Sequence, residues 1–279
     1  MMDKNRQAAP FLKWVGGKRQ LIPAITRVLP SDIGSYTWFE PFIGGGAMLF
    51  HLQPQRAVVN DSNSELINVY KVIRDKPREL IEDLRRHKNE ADYFYTVRAL
   101  DKNGGLKQLS PVQRASRVIF LNKTCYNGLY RVNKSGEFNT PFGRYKNPNI
   151  INEELLRAVS DYLNTAEIVI HNTDYTKVAE LAGKDAFVYF DPPYHPISAS
   201  SSFTGYVQGG WNGEEQLRLR EACDNLNKRG IKFLQSNSSS PFIKELYKDY
   251  TITTVKASRY INSVAAKRGA IDEVLIRNY

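Results

Sequence analysis

Four consecutive residues, Asp191, Pro192, Pro193 and Tyr194, carry the clearest chemical signal in the chain. They follow the apolar run 187–190, which predicts a short buried strand; the two prolines end it because proline cannot continue a hydrogen-bonded ladder. The acid is therefore expected at the carboxyl end of a strand, where ligands bind in open α/β sheets. The Asp191 carboxylate and a proline carbonyl can each accept a hydrogen bond, and Tyr194 can stack on a flat ring. The tetrapeptide predicts a clamp for an amino-bearing heterocycle such as adenine, and a strand with an ordinary proline turn is the simpler alternative.

A glycine loop and an acid on the next strand predict a second part of the same site. Residues 36–50 have the order of an aromatic strand, a loop that contains Gly44, and a helix, as a nucleotide-like ligand requires. The loop matches G-x-G-x-x-G poorly and lacks the G-K-[ST] ending of a P-loop. Asp61 follows the short strand 57–60, 17 residues after Gly44, and at this spacing its carboxylate is expected to hold ribose hydroxyls. Capping of the helix that begins near residue 63 is the alternative role for Asp61.

A third segment, residues 11–19, combines glycine with a basic residue. Two apolar residues and Trp14 precede a Gly-Gly turn, after which the pattern becomes helical. The turn allows the backbone to approach a ligand closely, and Lys18 is expected near a helix N-terminus. Taken alone, the segment fits equally well a ligand-binding loop and a core tryptophan followed by a solvated lysine.

The composition is that of a globular domain with room for a large core. The chain has 279 residues, of which 42% are hydrophobic and 24% charged, which suits one large α/β domain or a domain with an insert. No apolar run approaches the ~18 residues of a membrane span, and residues 1–6 do not resemble a secretory signal. The two cysteines, Cys125 and Cys223, are too few for a disulfide framework or a metal cluster, which fits a reducing cytosol.

The charge is basic and unevenly distributed. There are 39 basic and 29 acidic residues, a net charge of +10. The basic residues concentrate in three stretches: six against one acid in residues 1–30, seven against one in 111–150, and four against none in 255–270. Three separated basic clusters predict contact with a polyanion such as nucleic acid, and a solvated basic surface is the alternative.

The elements that must position these residues form a sheet pattern that a long helical block interrupts. A helical pattern runs from residue 64 to about residue 121, and its place after the second strand predicts an insert into a sheet domain. The serine-rich segment 195–206 is expected to be able to close over the site. The later elements expected are helices at 153–163 and 214–228, strands at 168–170, 186–190, 231–234, 251–255 and 274–276, and a polar loop at 236–240.

The helical block is followed by a segment, residues 122–146, in which basic, aromatic and amide side chains alternate. Residues 134–136, Lys-Ser-Gly, predict a hairpin turn between two short extended pieces. This mixture suits phosphate contacts combined with base-edge contacts. The Arg131 guanidinium can donate two parallel hydrogen bonds to guanine, and Asn127 or Tyr126 can reach the bases or the backbone of DNA. A structural hairpin capped by stacked aromatic rings is the alternative.

Five motifs, taken in order, make the chain resemble the DNA adenine methyltransferases of the Dam family, which modify GATC, and especially the members that accompany restriction systems. Any one of these motifs is a weak signal, but five in the same order are a strong one. They cover nearly the whole chain: Phe-Leu-Lys-Trp-Val-Gly-Gly-Lys at 11–18, Phe-Glu-Pro-Phe-Ile-Gly-Gly-Gly at 39–46, Asn-Gly-Leu-Tyr-Arg at 127–131, Pro-Phe-Gly-Arg-Tyr-Lys at 141–146 and Asp-Pro-Pro-Tyr at 191–194.

The resemblance implies an α/β fold, a Rossmann-like S-adenosylmethionine-dependent methyltransferase sheet with a mostly helical target-recognition insert. It implies a catalytic domain of residues 1–62 and 150–279, and a target-recognition domain of residues 63–149 with helices and a hairpin. The implied catalytic residues are Asp191, Pro192, Pro193 and Tyr194; the cofactor-binding residues are Trp14, Lys18, Phe39, Gly44, Asp61 and Asp191; and the DNA-binding residues are Lys13, Tyr126, Asn127, Leu129, Arg131, Pro141 and Tyr145.

The implied reaction moves the methyl group of S-adenosyl-L-methionine to adenine N6 of GATC in double-stranded DNA, after the base has been flipped out of the duplex. Asp191 and a proline carbonyl would hold the two amine hydrogens and favour a pyramidal nitrogen, so positioning would supply most of the acceleration. No metal is expected, because positive sulfur is already a good leaving group. A monomer without an obligate protein partner is expected, in the cytoplasm of a bacterium or archaeon or encoded by a phage.

Two other functions remain open at this point. Methyl transfer to cytosine N4 would use the same clamp, and adenine is favoured because residues 122–146 match the GATC enzymes. A catalytically silent methyltransferase fold that only binds DNA belongs to a different class. The intact tetrapeptide at 191–194 argues against it, since binding alone would not require the clamp.

Overall fold

A seven-stranded mixed sheet forms the centre of the computed structural model, which describes residues 7–14, 16, 18, 20–196, 211–258 and 270–279. The strands lie in the order β3-β2-β1-β4-β5-β7-β6. β1 to β5 run parallel, and β7 is antiparallel to both β5 and β6. Their bounds are Thr37–Glu40 (β1), Arg56–Asn60 (β2), Glu167–His171 (β3), Ala186–Phe190 (β4), Lys232–Ser238 (β5), Thr251–Ser258 (β6) and Ala270–Arg277 (β7).

The central strands are aromatic and aliphatic because both faces of the sheet are covered. All five residues of β4 are buried, as is typical of a parallel strand between two layers of helices. Its side chains alternate: Tyr189 belongs to the core on one face, and Val188 and Phe190 belong to the core on the other. The α/β fold class expected from the sequence is confirmed.

Ten α-helices among the described residues surround this sheet. Several begin at caps that the sequence supplies: the Asn63 side chain accepts from the Leu66 N–H, and Ser110 and Gln113 form a capping box at the start of the helix that begins at Pro111. The helices are Ile22–Val28 (α1), Ala47–Leu52 (α2), Ser64–Asp75 (α3), Pro77–Leu84 (α4), Ala91–Arg98 (α5), Pro111–Thr124 (α6), Glu153–Thr165 (α7), Tyr175–Glu180 (α8), Gly213–Lys228 (α9) and Pro241–Leu246 (α10).

Between β2 and β3 the chain forms α3 to α6 and then a hairpin. In the hairpin, the Asn133 N–H donates to the Glu137 carbonyl at 2.8 Å. A buried ion pair joins helices to hairpin: Arg117 lies 2.7 Å from Asp101, whose carboxylate accepts from the Phe138 N–H at 2.7 Å. The helices and the hairpin share a continuous apolar core with one face of the sheet. The division into domains at residues 62 and 150 stays a prediction.

The prediction for the end of β5 was wrong. The sequence predicts a strand at 231–234 and a polar loop at 236–240, whereas the strand continues to Ser238. Ser236 and Asn237 are fully buried within it. They tolerate burial because each has hydrogen-bond partners, a circumstance that side-chain polarity alone does not reveal.

Some expectations fall on residues outside those described. They are Val15, Gly17 and Arg19 of the first glycine segment, residues 197–206 of the expected lid, and the basic residues Lys4, Arg6, Arg259, Lys267 and Arg268. Within the described ranges, none of the helices has the length and apolar character needed to cross a membrane.

Candidate active site

Asp191 lies at the point of the sheet where the strand order reverses. β1 and β4 are neighbours there, and the chain leaves them in opposite directions, which opens a crevice outside their carboxyl ends. β1 ends at Glu40, and β4 ends at Phe190, directly before Asp191. The two acids therefore flank the crevice in which open α/β sheets bind their ligands.

The Asp191 carboxylate is fixed by two donors on the same oxygen. Lys18 Nζ lies 2.8 Å from Oδ1, and the Ser236 hydroxyl donates to Oδ1 at 2.8 Å. Lys18 also donates to the Gly16 carbonyl at 2.7 Å. Burial raises the pKa of Asp191, and the Lys18 ammonium and Ser236 hydroxyl oppose that rise. Oδ2 receives no hydrogen bond from any described residue and remains an acceptor.

The carbonyls of the two prolines differ in their hydrogen-bond partners. The Pro193 carbonyl accepts from Gln216 Nε2 at 3.1 Å. Pro192 is buried, and no donor among the described residues reaches its carbonyl. The main-chain carbonyl of a buried residue usually has a hydrogen-bond partner, so this carbonyl can accept from a ligand or a water molecule. The structure thus leaves two acceptors on neighbouring residues, Asp191 Oδ2 and the Pro192 carbonyl.

Tyr194 is held at its hydroxyl. Its O–H donates to Glu273 Oε2 on β7 at 2.8 Å, and Lys18 Nζ lies 4.4 Å from the centroid of its ring. Burial raises the pKa of Tyr194 well above its usual value, so the phenol stays a donor to Glu273. A planar ligand would stack on the ring face away from Lys18 or displace the ammonium.

The glycine loop and Asp61 are bonded to each other. The Gly44 N–H donates to Asp61 Oδ2 at 3.1 Å, and the Asn63 N–H donates to Oδ1 at 2.9 Å. Burial raises the pKa of Asp61 to about 6. The cap of α3 is Asn63 rather than Asp61, so the capping alternative for Asp61 is wrong. Its expected contact with ribose hydroxyls stays a prediction.

Trp14 packs over this loop. Gly44 has φ +48°, a backbone conformation that favours glycine. A Cβ at this position would also lie 2.9 Å from Trp14 Cδ1, which leaves no space for a side chain. The Trp14 ring also stacks on Tyr130 of the hairpin, with centroids 4.9 Å apart. Trp14 therefore joins the loop to the segment expected to read DNA.

Phe39 is placed differently from the other expected cofactor residues. It lies on β1 next to Trp38, and neighbouring strand residues point to opposite faces of the sheet. Trp38 belongs to the core that includes Tyr189, and Phe39 to the core that includes Val188 and Phe190. Phe39 is thus a core residue on the other face, and its role toward a cofactor stays a prediction.

Glu40 is a site residue that the sequence reasoning did not identify. Its carboxylate is buried and accepts from Trp38 Nε1 at 2.9 Å. Burial, with a contribution from the negative charge of Asp191, raises the pKa of Glu40 to about 8. The signal was available: Glu40 ends an aromatic strand directly before Pro41, as Asp191 does before Pro192.

The residues expected to contact DNA gather on one surface. Lys13 Nζ lies 5.5 Å from the ring centroid of Tyr145, and the Tyr126 N–H donates to the Pro141 carbonyl at 2.8 Å. Arg131 Nε donates to Asn139 Oδ1 at 2.6 Å. Lys13, Tyr126, Asn127 and Pro141 are exposed, and Leu129, Arg131 and Tyr145 are half-buried.

Asn122, which the sequence reasoning did not identify, holds this surface to the N-terminal segment. Its side chain accepts from the Lys13 N–H at 2.9 Å and donates to the carbonyls of Lys13 and Gly128 at 2.8 and 3.0 Å. Asn122 is fully buried on α6. Lys13 is thus fixed beside the hairpin, although the two are distant in sequence.

The chain is similar to known DNA methyltransferases. Residues 14–261 match the family model of the D12 class N6 adenine-specific DNA methyltransferases. The Type II methyltransferase M1.LlaDCHI of Lactococcus lactis subsp. cremoris is 45% identical, with 100% of this chain and 99% of the relative covered. The Type II methyltransferase M.MjaIII of Methanocaldococcus jannaschii is 41% identical, with 98% of this chain and 100% of the relative covered. The DNA adenine methylase of Escherichia coli (strain K12) is 34% identical, with 98% of this chain and 95% of the relative covered.

Proposed function

This chain belongs to the D12 class of N6 adenine-specific DNA methyltransferases, and we propose that it transfers the methyl group of S-adenosylmethionine to adenine N6 within GATC. One observation carries the proposal: Asp191 Oδ2 and the Pro192 carbonyl lie on neighbouring residues at the reversal of the strand order, and no donor among the described residues is bonded to either acceptor. An exocyclic amine has two hydrogens to donate, and these acceptors match them.

The residues around the crevice fit S-adenosylmethionine as the methyl donor. The glycine loop admits a ligand close to its backbone, and Asp61 lies at the end of β2, where ribose hydroxyls are expected. Glu40 is a buried acid and Asp191 a half-buried one at the crevice, and a cationic ligand offsets the cost of ionising them there. S-adenosylmethionine, when bound, supplies an electrophilic methyl group on a positively charged sulfur.

Residues 191–194 prepare the substrate amine. Asp191 Oδ2 and the Pro192 carbonyl accept its two hydrogens and turn the nitrogen lone pair away from conjugation with the ring. Lys18 favours the ionised form of Asp191, because the ammonium opposes the rise in pKa that burial causes, and it fixes the position of the carboxylate. Tyr194 supplies a flat surface for a base that has been flipped out of the duplex. Positioning accounts for most of the acceleration, and no group of the protein forms a covalent bond.

Adenine is favoured over cytosine because the matched family is adenine-specific. We call the surface that carries the residues expected to contact DNA the recognition surface: Lys13, Tyr126, Asn127, Leu129, Arg131, Pro141 and Tyr145. GATC is supported by this surface, on which Arg131 donates to Asn139, and by the similarity to DNA adenine methylases at 34% identity. The relatives at 45% and 41% identity are Type II methyltransferases, which supports a role as the modification enzyme of a restriction system. We place the enzyme in the cytoplasm, acting as a monomer on double-stranded DNA.

A labelled-methyl experiment tests this function. The purified chain is incubated with S-adenosylmethionine labelled in its methyl group and with duplexes that contain one GATC or one altered site, with and without EDTA. Digestion to nucleosides should give labelled N6-methyl-2′-deoxyadenosine from the GATC duplex alone, at the same rate with EDTA. Label in N4-methyl-2′-deoxycytidine would reject adenine as target, equal label in both duplexes would reject GATC, and no label would reject S-adenosylmethionine as donor.

A further inference from the structure

Beneath residues 191–194 lies a pair of buried amide side chains, Gln216 and Asn237. Gln216 is on α9, Asn237 is on β5, and both are fully buried. Asn237 Nδ2 donates to Gln216 Oε1 at 3.0 Å. Neither side chain is exposed to a ligand, so any effect on the reaction must pass through the backbone that they bind.

The pair binds the backbone on both sides of Tyr194. Gln216 Nε2 donates to the Pro193 carbonyl at 3.1 Å, and Asn237 Oδ1 accepts from the His195 N–H at 3.2 Å. The Pro193 carbonyl belongs to the peptide group before Tyr194, and the His195 N–H belongs to the one after it. The two peptide groups that flank Tyr194 set the direction of its side chain. Each of them is therefore held by one hydrogen bond from the buried amide pair.

The pair also distinguishes between the two proline carbonyls. The bond from Gln216 occupies the Pro193 carbonyl, while Pro192 receives no donor from the described residues. Ser236, the residue before Asn237 on β5, holds Asp191 Oδ1 at 2.8 Å. Two adjacent residues of β5 thus hold the site: Ser236 binds the acid, and Asn237 binds the turn directly at His195 and indirectly through Gln216.

We infer that Gln216 and Asn237 are positioning residues that hold the Pro193 carbonyl and the Tyr194 backbone so that the Pro192 carbonyl is the one that accepts from the substrate amine. The inference rests on the proposed amine clamp. A fully satisfied pair of buried amides specifies one geometry, which an apolar pair of the same size would not do. A displacement of the acceptor by about 1 Å can lower the rate roughly 100-fold.

Gln216→Met removes both hydrogen bonds while filling similar space. We expect kcat to fall roughly 10- to 100-fold, with the KM values for DNA and for S-adenosylmethionine changing less than about threefold. Gln235→Met is the matched control, because Gln235 is also a fully buried glutamine of the same region but bonds to Cys223 rather than to the turn. It should keep kcat within about twofold at a similar melting temperature.

Gln216→Glu provides a readout that a general loss of stability would not produce. The ionised carboxylate cannot donate to the Pro193 carbonyl, whereas the protonated acid can donate there and still accept from Asn237. The ratio of variant to wild-type kcat should therefore rise as the pH falls. The titratable groups of the turn are Asp191, Tyr194 and His195, and Lys18 and Glu273 contact it from other elements. Both proteins carry all of these groups, so their contributions largely cancel in the ratio at each pH.

Two results would overturn the inference: wild-type kcat in folded Gln216→Met, or a kcat ratio for Gln216→Glu that does not change with pH. If Gln216→Met does not fold, the pH series of Gln216→Glu decides alone. Failure of the proposed function is distinguishable, since in that case the wild-type chain itself would form no N6-methyladenine.

Discussion

Lys18 Nζ and Asp191 Oδ1 lie 2.8 Å apart, although the two residues are distant in sequence. The same ammonium lies 4.4 Å from the centroid of the Tyr194 ring. Lys18 is buried in this position. A buried ammonium paired with an acid favours the ionised carboxylate, which is the form that accepts hydrogen bonds without donating. The pair therefore connects the first glycine segment to the proposed amine clamp at the end of β4.

Loss of Lys18 should change the pH dependence of the reaction. The ammonium lowers the pKa of Asp191 against the rise that burial causes, so Lys18→Met should raise that pKa further. The acidic limb of the kcat profile should therefore move to higher pH. Lys13→Met is the control, because Lys13 is exposed on the recognition surface and should leave the limb in place. An unmoved limb in Lys18→Met would show that the pair does not set the ionisation of Asp191.

Removal of the Asp191 carboxylate should abolish methyl transfer. Asp191→Ala takes away one of the two acceptors for the amine, and we expect kcat to fall on the order of 1,000-fold, as for other groups that act in the transition state. Single-turnover methylation of a GATC duplex measures this loss. Asp185→Ala tests an exposed acid just before the same strand and should leave the rate unchanged. A near-normal turnover rate of Asp191→Ala would contradict the proposed mechanism.

Sequence alone located Asp191 because two prolines end a strongly apolar strand, and the strand end is a local property. The sequence did not reveal the pairing of Asp191 with Lys18, because this contact depends on the tertiary fold and neither segment contains a local signal for it. The end of β5 shows the opposite difficulty. Asn237 reads as a loop residue by its polarity, and only its contacts with Gln216 and His195 explain why it is buried.

Asp61→Ala should weaken cofactor binding more than it slows the chemical step. A ribose contact is largely the same in the ground and transition states, so KM for S-adenosylmethionine should rise roughly 10-fold or more and kcat should change much less. The variant also loses the bond to Gly44, so its melting temperature is measured as well. Asn63→Ala, which removes the cap of α3, controls for local destabilisation and should leave KM nearly unchanged. A collapse of kcat at constant KM would require another role for Asp61.

Glu40 should make the stability of the unliganded protein depend on pH. Its pKa is about 8 in the folded protein and about 4.5 in the unfolded chain, so the folded state holds the proton more tightly. The free energy of unfolding therefore falls as the pH rises from about 4.5 to about 8, by at most a few kcal/mol from this group. Glu40→Gln should remove that slope, and Glu154→Gln, an exposed acid on α7, should keep it. Urea unfolding at pH 6 and pH 8.5 gives the change in the free energy of unfolding between the two pH values for each variant. The same change in Glu40→Gln and in Glu154→Gln would contradict the assignment.

Arg131 and Lys146 should differ in what they contribute to DNA recognition. Arg131 is half-buried and oriented by Asn139, and the remaining N–H groups of its guanidinium suit guanine O6 and N7. Lys146 is exposed, as expected of a phosphate contact. Arg131→Ala should cost about 1–3 kcal/mol against GATC and relax discrimination at one base pair. Lys146→Ala should weaken GATC and altered sites by similar factors and reduce the salt dependence slightly.

Methylation rates on GATC and on sites altered at one position, each at two salt concentrations, separate these effects. The wild-type ratio between GATC and each altered site serves as the reference for both variants. In Arg131→Ala that ratio should fall at a single position, and in Lys146→Ala it should not change at any position. If Arg131→Ala slows all sites equally, Arg131 only positions the DNA. The specificity would then have to come from Lys13, Leu129 or Tyr145, which lie on the same surface.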